Sequence, residues 1–338
     1  MSFVAEPARV LVAGGSGYTG ALAARLIDRH PQFELATVTS RSDIGRRLSD
    51  LYPHHRVDAV FEELDVERHG EVDAAIVAYP HGASAPIVAA LREREVRVID
   101  LSADFRLRDR DTYAQWYGEH GAPELFGTAI YGLTELYGAE IATANLVANP
   151  GCFPIATLLG LAPLARSGTI ADVVIDVKSG VSGAGRAATH RTHFVTVDEN
   201  VVAYGVAGHR HAPEVDQELA ALGAPVTATV QPHLLPLGQG ELVSCYVTPT
   251  RPWSQDEIDA SYRAWSAAHA FIELSETPPG VRDVRDTNVC ALHARVDART
   301  GKVLVFAAID NLWKGSASQA VQNLNLMFGL PETLGIEP

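Results

Sequence analysis

The feature that most constrains the fold is a glycine-rich turn near the N-terminus. The motif GGSGYTG (residues 14–20) follows the apolar run 9–13 and opens a helical pattern over 20–29. Glycines in a strand–turn–helix unit let the backbone approach a pyrophosphate, whose charge meets the N–H groups of the helix start. A tight turn that binds nothing is the alternative. The strand and helix on either side favour a dinucleotide-binding unit.

The first half of the chain alternates strands and helices. After the strand 9–13, further strands are predicted over 33–40, 73–79 and 96–101, and a second helix over 83–95. Alternation of this kind is typical of a doubly wound parallel sheet with right-handed crossovers. We therefore predict an α/β, Rossmann-like dinucleotide-binding domain over residues 1–150.

The pattern changes after residue 150. Predicted strands follow over 171–178, 226–230, 241–248, 289–296 and 303–309, the last two joined by the turn-forming segment 297–301. This indicates an α+β domain with a largely antiparallel sheet over residues 151–310, for the substrate and for oligomerisation. A helix predicted over 315–328 lies in a C-terminal segment, 311–338, that we expect to pack back on the first domain.

Composition excludes several classes of partner. Arg and Lys number 27 against 41 acidic residues, a formal charge of −14, which disfavours nucleic acid and anionic membranes. The N-terminus has no signal-peptide pattern, and no apolar run approaches the ~20 residues that span a bilayer. The three cysteines lack CxxC spacing, so neither a disulfide framework nor a thiolate metal site is expected. We expect a cytoplasmic protein without a metal.

The end of the second predicted strand indicates which dinucleotide binds. NAD-binding folds usually carry a carboxylate there for the ribose hydroxyls. This chain has Thr39-Ser40-Arg41-Ser42 instead. An arginine between two hydroxyl groups suits a 2′-phosphate, so NADP is predicted; a solvated loop arginine is the alternative.

Cys152 is the candidate nucleophile. It lies in the segment NPGCFP (149–154), just before an apolar helical pattern, and Pro154 is typical of a first helical turn. A thiol at a helix start is activated by the macrodipole, whereas Cys245 and Cys290 lie in apolar strands. An inert cysteine in the core is the alternative. A cysteine beside a nicotinamide indicates chemistry through a thioester, which links an aldehyde and an acyl phosphate.

Such chemistry also needs an acid–base group and anion ligands. The segment GHRHAPE (208–214) offers His209 and His211, between which spacing does not decide. Arg106, in the segment 102–106, and Arg186, at the end of the glycine-rich segment 179–186, are the candidate anion ligands. A flexible loop with a surface arginine is the alternative for the second segment.

The motifs together resemble one known family. GGSGYTG, TSRS, AYPHG, DLSADFR, ANPGCFP, KSGVSGAGR, GHRHAPE, AIDNLWKG and AVQNLNLMFGLPET occur in the order and spacing of the N-acetyl-gamma-glutamyl-phosphate reductases of arginine biosynthesis. The resemblance runs from about Val10 to Thr333, and NPGC, SGVSGAGR and HRHxPE are its specific motifs. It implies NADPH-dependent reduction of N-acetyl-glutamyl 5-phosphate to the 5-semialdehyde, with release of phosphate.

The resemblance also assigns roles to residues. It places the thioester on Cys152 and the acid–base role on His211, the second histidine of its motif. Substrate contacts are expected from Arg106, Asn149 and Arg186. The expected NADP(H)-binding residues are Gly14, Ser16, Gly17, Tyr18, Thr19, Gly20, Ser40, Arg41, Ser42, Pro80, Ser182, Gly183 and Asn311.

Departures from the family pattern are few. Gly15 stands where alanine is common, Phe153 where tyrosine is common, and Gln239 where an arginine is expected.

The family forms dimers and tetramers, so a homodimer or homotetramer is expected. The alternatives are the same chemistry on aspartyl phosphate or carrier-bound aminoadipyl phosphate, or an NADP-binding regulator without catalysis. The last would be expected to lose the cysteine or the histidine.

Overall fold

The chain divides into two compact units. The computed structural model describes residues 6–336. One unit comprises the chain up to Pro150 together with the segment from Ser316 onward, and the other comprises Gly151–Gly315. The chain therefore leaves the first unit once and returns to it for its last helix.

A parallel sheet forms the centre of the first unit. Its strands are β1 (Ala8–Ala13), β2 (Phe33–Thr39), β3 (Phe61–Glu62), β4 (Ala74–Val77), β5 (Arg97–Asp100), β6 (Ile130–Tyr131) and β7 (Leu146–Ala148). Within residues 6–336 these seven strands pair in the order β3-β2-β1-β4-β5-β7-β6, and all neighbours run parallel. This is the doubly wound sheet that the sequence predicts.

A mixed sheet forms the second unit. Its strands are β8 (Ile170–Ser179), β9 (Val202–Ala203), β10 (Thr229–Leu234), β11 (Glu241–Pro249), β12 (Ile272–Leu274), β13 (Cys290–Val296) and β14 (Val303–Ile309). In the described part of the chain these seven strands follow the order β12-β13-β14-β11-β8-β10-β9. The pairs β8–β10 and β12–β13 are parallel and the others antiparallel, so the sheet is largely antiparallel, as predicted.

Helices flank both sheets. They are α1 (Tyr18–Asp28), α2 (Leu48–Leu51), α3 (Val66–His69), α4 (Ala85–Glu93), α5 (Arg110–Tyr117), α6 (Thr134–Ile141), α7 (Cys152–Arg166), α8 (Phe194–Val197), α9 (Ala212–Ala221), α10 (Gln255–Ala268) and α11 (Ser318–Met327). A π-helical turn over Trp313–Ala317 precedes α11. In the described residues, no helix is long and apolar enough to cross a bilayer.

Both faces of the parallel sheet are covered. Leu11 and Val77 pack with Val88 and Leu91 of α4 in one buried cluster. Val12, which points to the opposite face of β1, is also fully buried. Burial on both faces explains why these strands read as continuous apolar runs.

Helix α11 holds the loops that follow β6 and β7 through buried amide groups. The Gln319 Nε2 donates to the Gly132 carbonyl oxygen at 3.0 Å, and the Asn323 Nδ2 donates to the same oxygen at 2.8 Å. The Asn323 Nδ2 also donates to the Asn149 Oδ1 at 3.0 Å. Within the first unit, these bonds fix Gly132 and Asn149, and Asn149 precedes Cys152 by three residues in the chain.

The mixed sheet buries one face against helices. Gly160 of α7 packs against Val305 of β14, where a Cβ on the glycine would lie 3.3 Å from the Val305 Cγ1. Two side chains of α10 secure α7: the Tyr262 hydroxyl donates to the Gly160 carbonyl oxygen at 2.7 Å, and the Trp265 indole donates to that of Leu159 at 3.0 Å. The length of α7 and its apolar composition follow from this burial.

Some predicted boundaries shift. The strand predicted over 226–230 lies over Thr229–Leu234, because a turn and extended coil after α9 occupy the earlier residues. The C-terminal helix begins at Ser318 rather than 315, since the π-helical turn takes up the preceding residues. The short strands β3, β6, β7, β9 and β12 were not predicted, since two or three residues give no periodic pattern.

The glycine turn gives a test of backbone constraint. Gly14 has φ +93°, and a Cβ there would lie 2.7 Å from the Ala78 carbonyl oxygen, whereas a Cβ on Gly17 would meet nothing within 4 Å. We expect Gly14→Ala to lower the free energy of unfolding by about 1–3 kcal/mol. Gly17→Ala is the control and should leave it nearly unchanged. Urea unfolding measures both, and equal losses would contradict the prediction.

Candidate active site

Cys152 is the first residue of α7, the central helix of the second unit. Gly151 is the N-cap, with φ −70° and ψ 154°, so the thiol lies where the helix N–H groups point outward. Cys152 is partly exposed, whereas Cys245 and Cys290 are 2% and 0% exposed. Its position favours a reactive thiolate, and its exposure allows a substrate to reach it.

The imidazole of His211 lies against Gly151. A Cβ on Gly151 would come within 2.4 Å of the His211 Nε2, so only glycine fits beside this ring. His211 is itself the N-cap of α9, and its ring meets that of Phe153 edge-on at 4.9 Å. The imidazole is therefore held next to the residue that precedes the nucleophile.

His209 has a different environment. Its ring stacks on Phe153 with a centroid distance of 4.9 Å, and its Nδ1 accepts a hydrogen bond from the His211 backbone N–H at 3.3 Å. Burial, with a contribution from the Arg210 charge, lowers the pKa of His209 to about 4. A histidine that stays neutral at physiological pH is suited to hold its neighbours in place rather than to exchange protons. His209 therefore supports His211 and Phe153, and this geometry favours His211 for proton transfer.

Glu214 fixes the start of the nucleophile helix and was not a sequence candidate. Its Oε1 accepts a hydrogen bond from the Gly151 N–H at 2.9 Å, and the side chain is 1% exposed. His211 and Glu214 thus both hold Gly151 from the first turn of α9. The signal in the sequence was the spacing HAPE, which places both side chains on one helical turn.

Asn311 braces two loops of the second unit. Its Nδ2 donates to the Ser182 Oγ at 3.0 Å, and its Oδ1 accepts from the Gly240 N–H at 2.7 Å. Ser182 lies in the 3₁₀ turn Val181–Ala184, which also contains the exposed Gly183. Arg186 follows this turn and is exposed. These four predicted residues therefore belong to one region of the second unit, with Asn311 as its buried support.

Gln239 occupies the position where an arginine was expected. Its Nε2 donates to the Asp310 Oδ2 at 2.6 Å and to the Asp286 Oδ1 at 2.9 Å. The amide therefore ties the loop before β11 to two carboxylates, a structural role that needs no positive charge.

In the first unit, the glycine turn lies at the carboxyl end of β1. The backbone N–H groups of Gly14 and Gly15 donate to the Thr39 carbonyl oxygen at 3.2 and 2.8 Å. Gly20 packs on Gly14, where a Cβ would lie 2.4 Å from the Gly14 carbonyl oxygen. Gly17, by contrast, borders open space at the N-cap of α1, just before Tyr18 and Thr19. Of the four glycines in this turn, Gly17 is the one that borders open space, which suits the approach of a ligand.

The end of β2 adjoins the same turn. The Ser40 Oγ donates to the Ser16 Oγ at 2.8 Å and accepts from the Ser42 N–H at 3.2 Å. The exposed Arg41 lies with its guanidinium carbon 4.6 Å from the centre of the Tyr79 ring, beside the exposed Pro80. Stacking orients the guanidinium while its N–H groups remain in plane for an anion.

Arg106 and Asn149 are buried at the carboxyl edge of the first sheet. The Arg106 Nε donates to the Asn149 carbonyl oxygen at 2.8 Å, and its Nη2 to the Leu101 carbonyl oxygen at 2.8 Å. The Asn149 amide is 0% exposed and bonds Asn323 and the Ser316 carbonyl oxygen. These contacts favour a role in holding the backbone before the nucleophile over direct contact with substrate.

Within residues 6–336, no three metal-ligating side chains of the His, Cys, Asp or Glu type come together. The predicted site residues fall into two sets, one in each unit. The first unit carries Gly14, Ser16, Gly17, Tyr18, Thr19, Gly20, Ser40, Arg41, Ser42, Pro80, Arg106 and Asn149. The second carries Cys152, Ser182, Gly183, Arg186, His211 and Asn311.

Comparison with solved structures shows the fold. Aspartate semialdehyde dehydrogenase II of Vibrio cholerae, complexed with ASA, superposes with a TM-score of 0.74 at 18% identity, over 96% of this chain and 99% of that one. Aspartate semialdehyde dehydrogenase with NADP from Candida albicans gives a TM-score of 0.70 at 15% identity, with coverage of 96% and 99%.

Comparison of sequences shows the family. Residues 9–144 match the semialdehyde dehydrogenase NAD binding domain, and residues 152–311 match the semialdehyde dehydrogenase dimerisation domain. N-acetyl-gamma-glutamyl-phosphate reductase of Moorella thermoacetica is 46% identical, over 96% of this chain and 97% of that protein. The enzyme of that name from Rubrobacter xylanophilus is 47% identical, with coverage of 96% and 97%. The chain belongs to the N-acetyl-gamma-glutamyl-phosphate reductase family.

Proposed function

We propose that this protein reduces N-acetyl-glutamyl 5-phosphate to N-acetyl-glutamate 5-semialdehyde and releases phosphate, as a step of arginine biosynthesis. The observation that carries the proposal is the partly exposed thiol at the start of α7, with the His211 imidazole against Gly151, in a chain 46–47% identical to reductases of that name. The acidic composition and the three free cysteines suit a small-molecule enzyme of the cytoplasm.

Cys152 would begin the reaction as the nucleophile. Its sulfur attacks the acyl carbon, the bond to the phosphate oxygen breaks, and phosphate leaves with the electron pair. Pro154 has no backbone N–H, so the first-turn donors that can hold the developing oxyanion are those of Cys152 and Phe153. The N-terminal end of α7 thus stabilises both the thiolate and the oxyanion.

His211 would transfer the proton that the second half of the reaction requires. As the thioester is reduced, the carbonyl oxygen gains a proton from the imidazole. When the thiohemiacetal collapses, the same imidazole takes that proton back and the carbon–sulfur bond breaks, which returns the thiolate. The supports on either side, His209 and Glu214, keep the ring and Gly151 in register during both steps.

The residues of the first unit fit NADP(H). Gly17 leaves open space at the start of α1, as a pyrophosphate requires, and the stacked Arg41 with Ser40 and Ser42 suits a 2′-phosphate. The strand order β3-β2-β1-β4 reverses its direction of progression between β1 and β4, and such a switch point is where dinucleotides bind in parallel sheets. NADPH, when bound, supplies the hydride. Asn311, Ser182 and Gly183, which form one region of the second unit, are the candidates for contact with a nicotinamide ring.

Anionic groups of the substrate would meet Arg186, which is exposed after the turn that Asn311 supports. Arg106 would act mainly through the Asn149 backbone, since two of its N–H groups donate to carbonyl oxygens. A protein of formal net charge −14 repels an anionic substrate, so such local arginines are needed.

The protein would assemble through the second face of the mixed sheet. Val174 of β8 is 38% exposed there, and Tyr246, Leu304 and Phe306 are partly exposed. The register places all four on one face, because each is offset by one residue from the buried Ile175, Cys245 and Val305. The same face carries the partly exposed ion pair of Asp176 and Lys178. A sheet face that exposes apolar side chains beside such a pair suits a twofold homodimer, with a homotetramer as a further assembly.

Substrate identity can be tested in the reverse direction. Wild-type protein should reduce NADP with N-acetyl-glutamate semialdehyde only when phosphate is present, because phosphate releases the thioester. Cys152→Ser should lower turnover by at least about a thousandfold, as loss of a nucleophile does. Cys290→Ala, at a buried cysteine, is the control that should keep activity. Turnover with aspartate semialdehyde but not with the acetylated substrate would contradict the proposed substrate. Retained activity in Cys152→Ser would contradict the proposed mechanism.

Cofactor choice can be tested at Arg41. Arg41→Ala should raise the KM for NADPH by about tenfold to a hundredfold, the cost of one charge-assisted contact, and leave the KM for NADH nearly unchanged. Arg46→Ala removes an exposed arginine of the same loop that pairs with Asp43, and it should change neither constant. An equal rise for both cofactors in Arg41→Ala would show that the arginine does not read the 2′-phosphate.

Assembly can be tested at Val174. A charge at the centre of a buried apolar interface is costly, so Val174→Asp should convert the assembly to a smaller species by light scattering after gel filtration. Val60→Asp, at a 45% exposed valine of the first unit, should leave the mass unchanged. An unchanged mass in Val174→Asp would place the interface elsewhere.

A further inference from the structure

Glu241 is a buried acid to which neither the sequence motifs nor the proposed mechanism gives a role. It begins β11, ahead of the apolar run of that strand, and is 0% exposed. Among the described residues, neither of its carboxyl oxygens has a hydrogen-bond partner of standard geometry. A buried carboxyl group without a well-formed hydrogen bond is costly, so its presence inside a core calls for a functional reason.

The position of Glu241 is beside the nucleophile. In the sheet register it pairs with Ile309 of β14 and Ser179 of β8, on the face that packs against the helices. A Cβ on Gly315 would lie 2.9 Å from the Cys152 Cβ and 3.3 Å from the Ile309 Cδ1. Cys152 therefore lies over the strand pair that carries Glu241, within the second unit.

The electrostatics of the pair agree with this geometry. Burial raises the pKa of Glu241 to about 8, and a hydrogen bond with the Cys152 thiol partly opposes that rise. Tyr204 is a further titratable neighbour: burial and the charges of Cys152 and Glu241 raise the pKa of its hydroxyl, which stays neutral. The cations around the pair are Arg191, whose charge opposes that rise, and His211 when protonated, which lies against Gly151. The strand neighbours Ser179 and Ile309 carry no charge.

We infer that Glu241 and Cys152 share one proton, and that the neutral Glu241 carboxyl donates a hydrogen bond to the Cys152 sulfur whenever the sulfur is a thiolate. This rests on the proposed role of Cys152 as nucleophile. A low-dielectric site disfavours two adjacent negative charges, so the proton stays with whichever group is not carrying the charge.

The proton balance follows through the reaction. In the resting pair, the proton moves from sulfur to the carboxylate oxygen, which leaves a thiolate and a neutral acid. As the sulfur–carbon bond forms and phosphate leaves, Glu241 keeps this proton. When the carbon–sulfur bond breaks, the electron pair returns to sulfur, and the carboxyl O–H stabilises the thiolate leaving group. His211 handles the separate proton of the substrate oxygen.

The test follows the reactivity of Cys152 with iodoacetamide against pH, in full-length protein. Cys245 and Cys290 are 2% and 0% exposed, and Cys152→Ser gives the background rate. The wild type should show two inflections, because a coupled pair loses its protons in two steps. Glu241→Gln and Glu241→Met remove the second titrating group and should each show one inflection. A single wild-type inflection that is unchanged in both variants would overturn the shared proton.

The two variants separate the hydrogen bond from the charge. A glutamine N–H can still donate to the thiolate, whereas methionine cannot. At pH 7, Glu241→Met should therefore react about tenfold more slowly than Glu241→Gln, the effect of about one pKa unit from a hydrogen bond to a charged group. Equal rates in the two variants would overturn the hydrogen-bond part of the inference.

A stability measurement gives an independent readout. Folding raises the pKa of Glu241 from 4.5 to about 8. The stability that the neutral carboxyl provides is therefore complete below the pKa of the unfolded state, and it is lost as the pH rises through the pKa of the folded state. Urea unfolding should show the wild type losing stability relative to Glu241→Met between these values. Parallel curves would overturn the inference. Neither assay needs a substrate, so its outcome is distinguishable from a failed reductase assay.

Discussion

The close approach of the His211 imidazole to the bare α-carbon of Gly151 is the constraint on which the candidate site depends. No side chain fits at residue 151, because a Cβ there would lie 2.4 Å from the imidazole Nε2. The same glycine caps α7 and gives its N–H to Glu214. One residue without a side chain therefore sets the start of the nucleophile helix, the orientation of the acid–base candidate and the contact between α7 and α9.

The sequence predicts the local and periodic features of this protein well. The glycine turn after β1, the cysteine at a helix start and the doubly wound sheet are local or periodic features, and the structure confirms the sheet and its turn. Spacing alone did not choose between His209 and His211. The distinction lies in how each ring packs on Phe153 and Gly151, which are about 60 residues away in the chain.

Glu214 and Glu241 were missed for the same physical reason. Each acts through a contact between residues far apart in sequence, 63 positions in the case of Gly151 and Glu214. No periodic pattern encodes such a pair. Glu241 does leave a local signal, a charged residue at the head of an otherwise apolar central strand, and such a residue has to meet a compensating interaction or remain neutral.

Neutrality is the state that suits Glu241. The N-terminal end of α7 favours negative charge at Cys152, but an ionised carboxylate beside the sulfur would cancel that benefit. Burial resolves the conflict, since it raises the pKa of Glu241 to about 8 and so leaves the helix dipole free to act on the thiolate alone. The complete burial of Glu241, which would be a defect for an ordinary glutamate, is therefore the condition that makes this carboxyl compatible with a nucleophile.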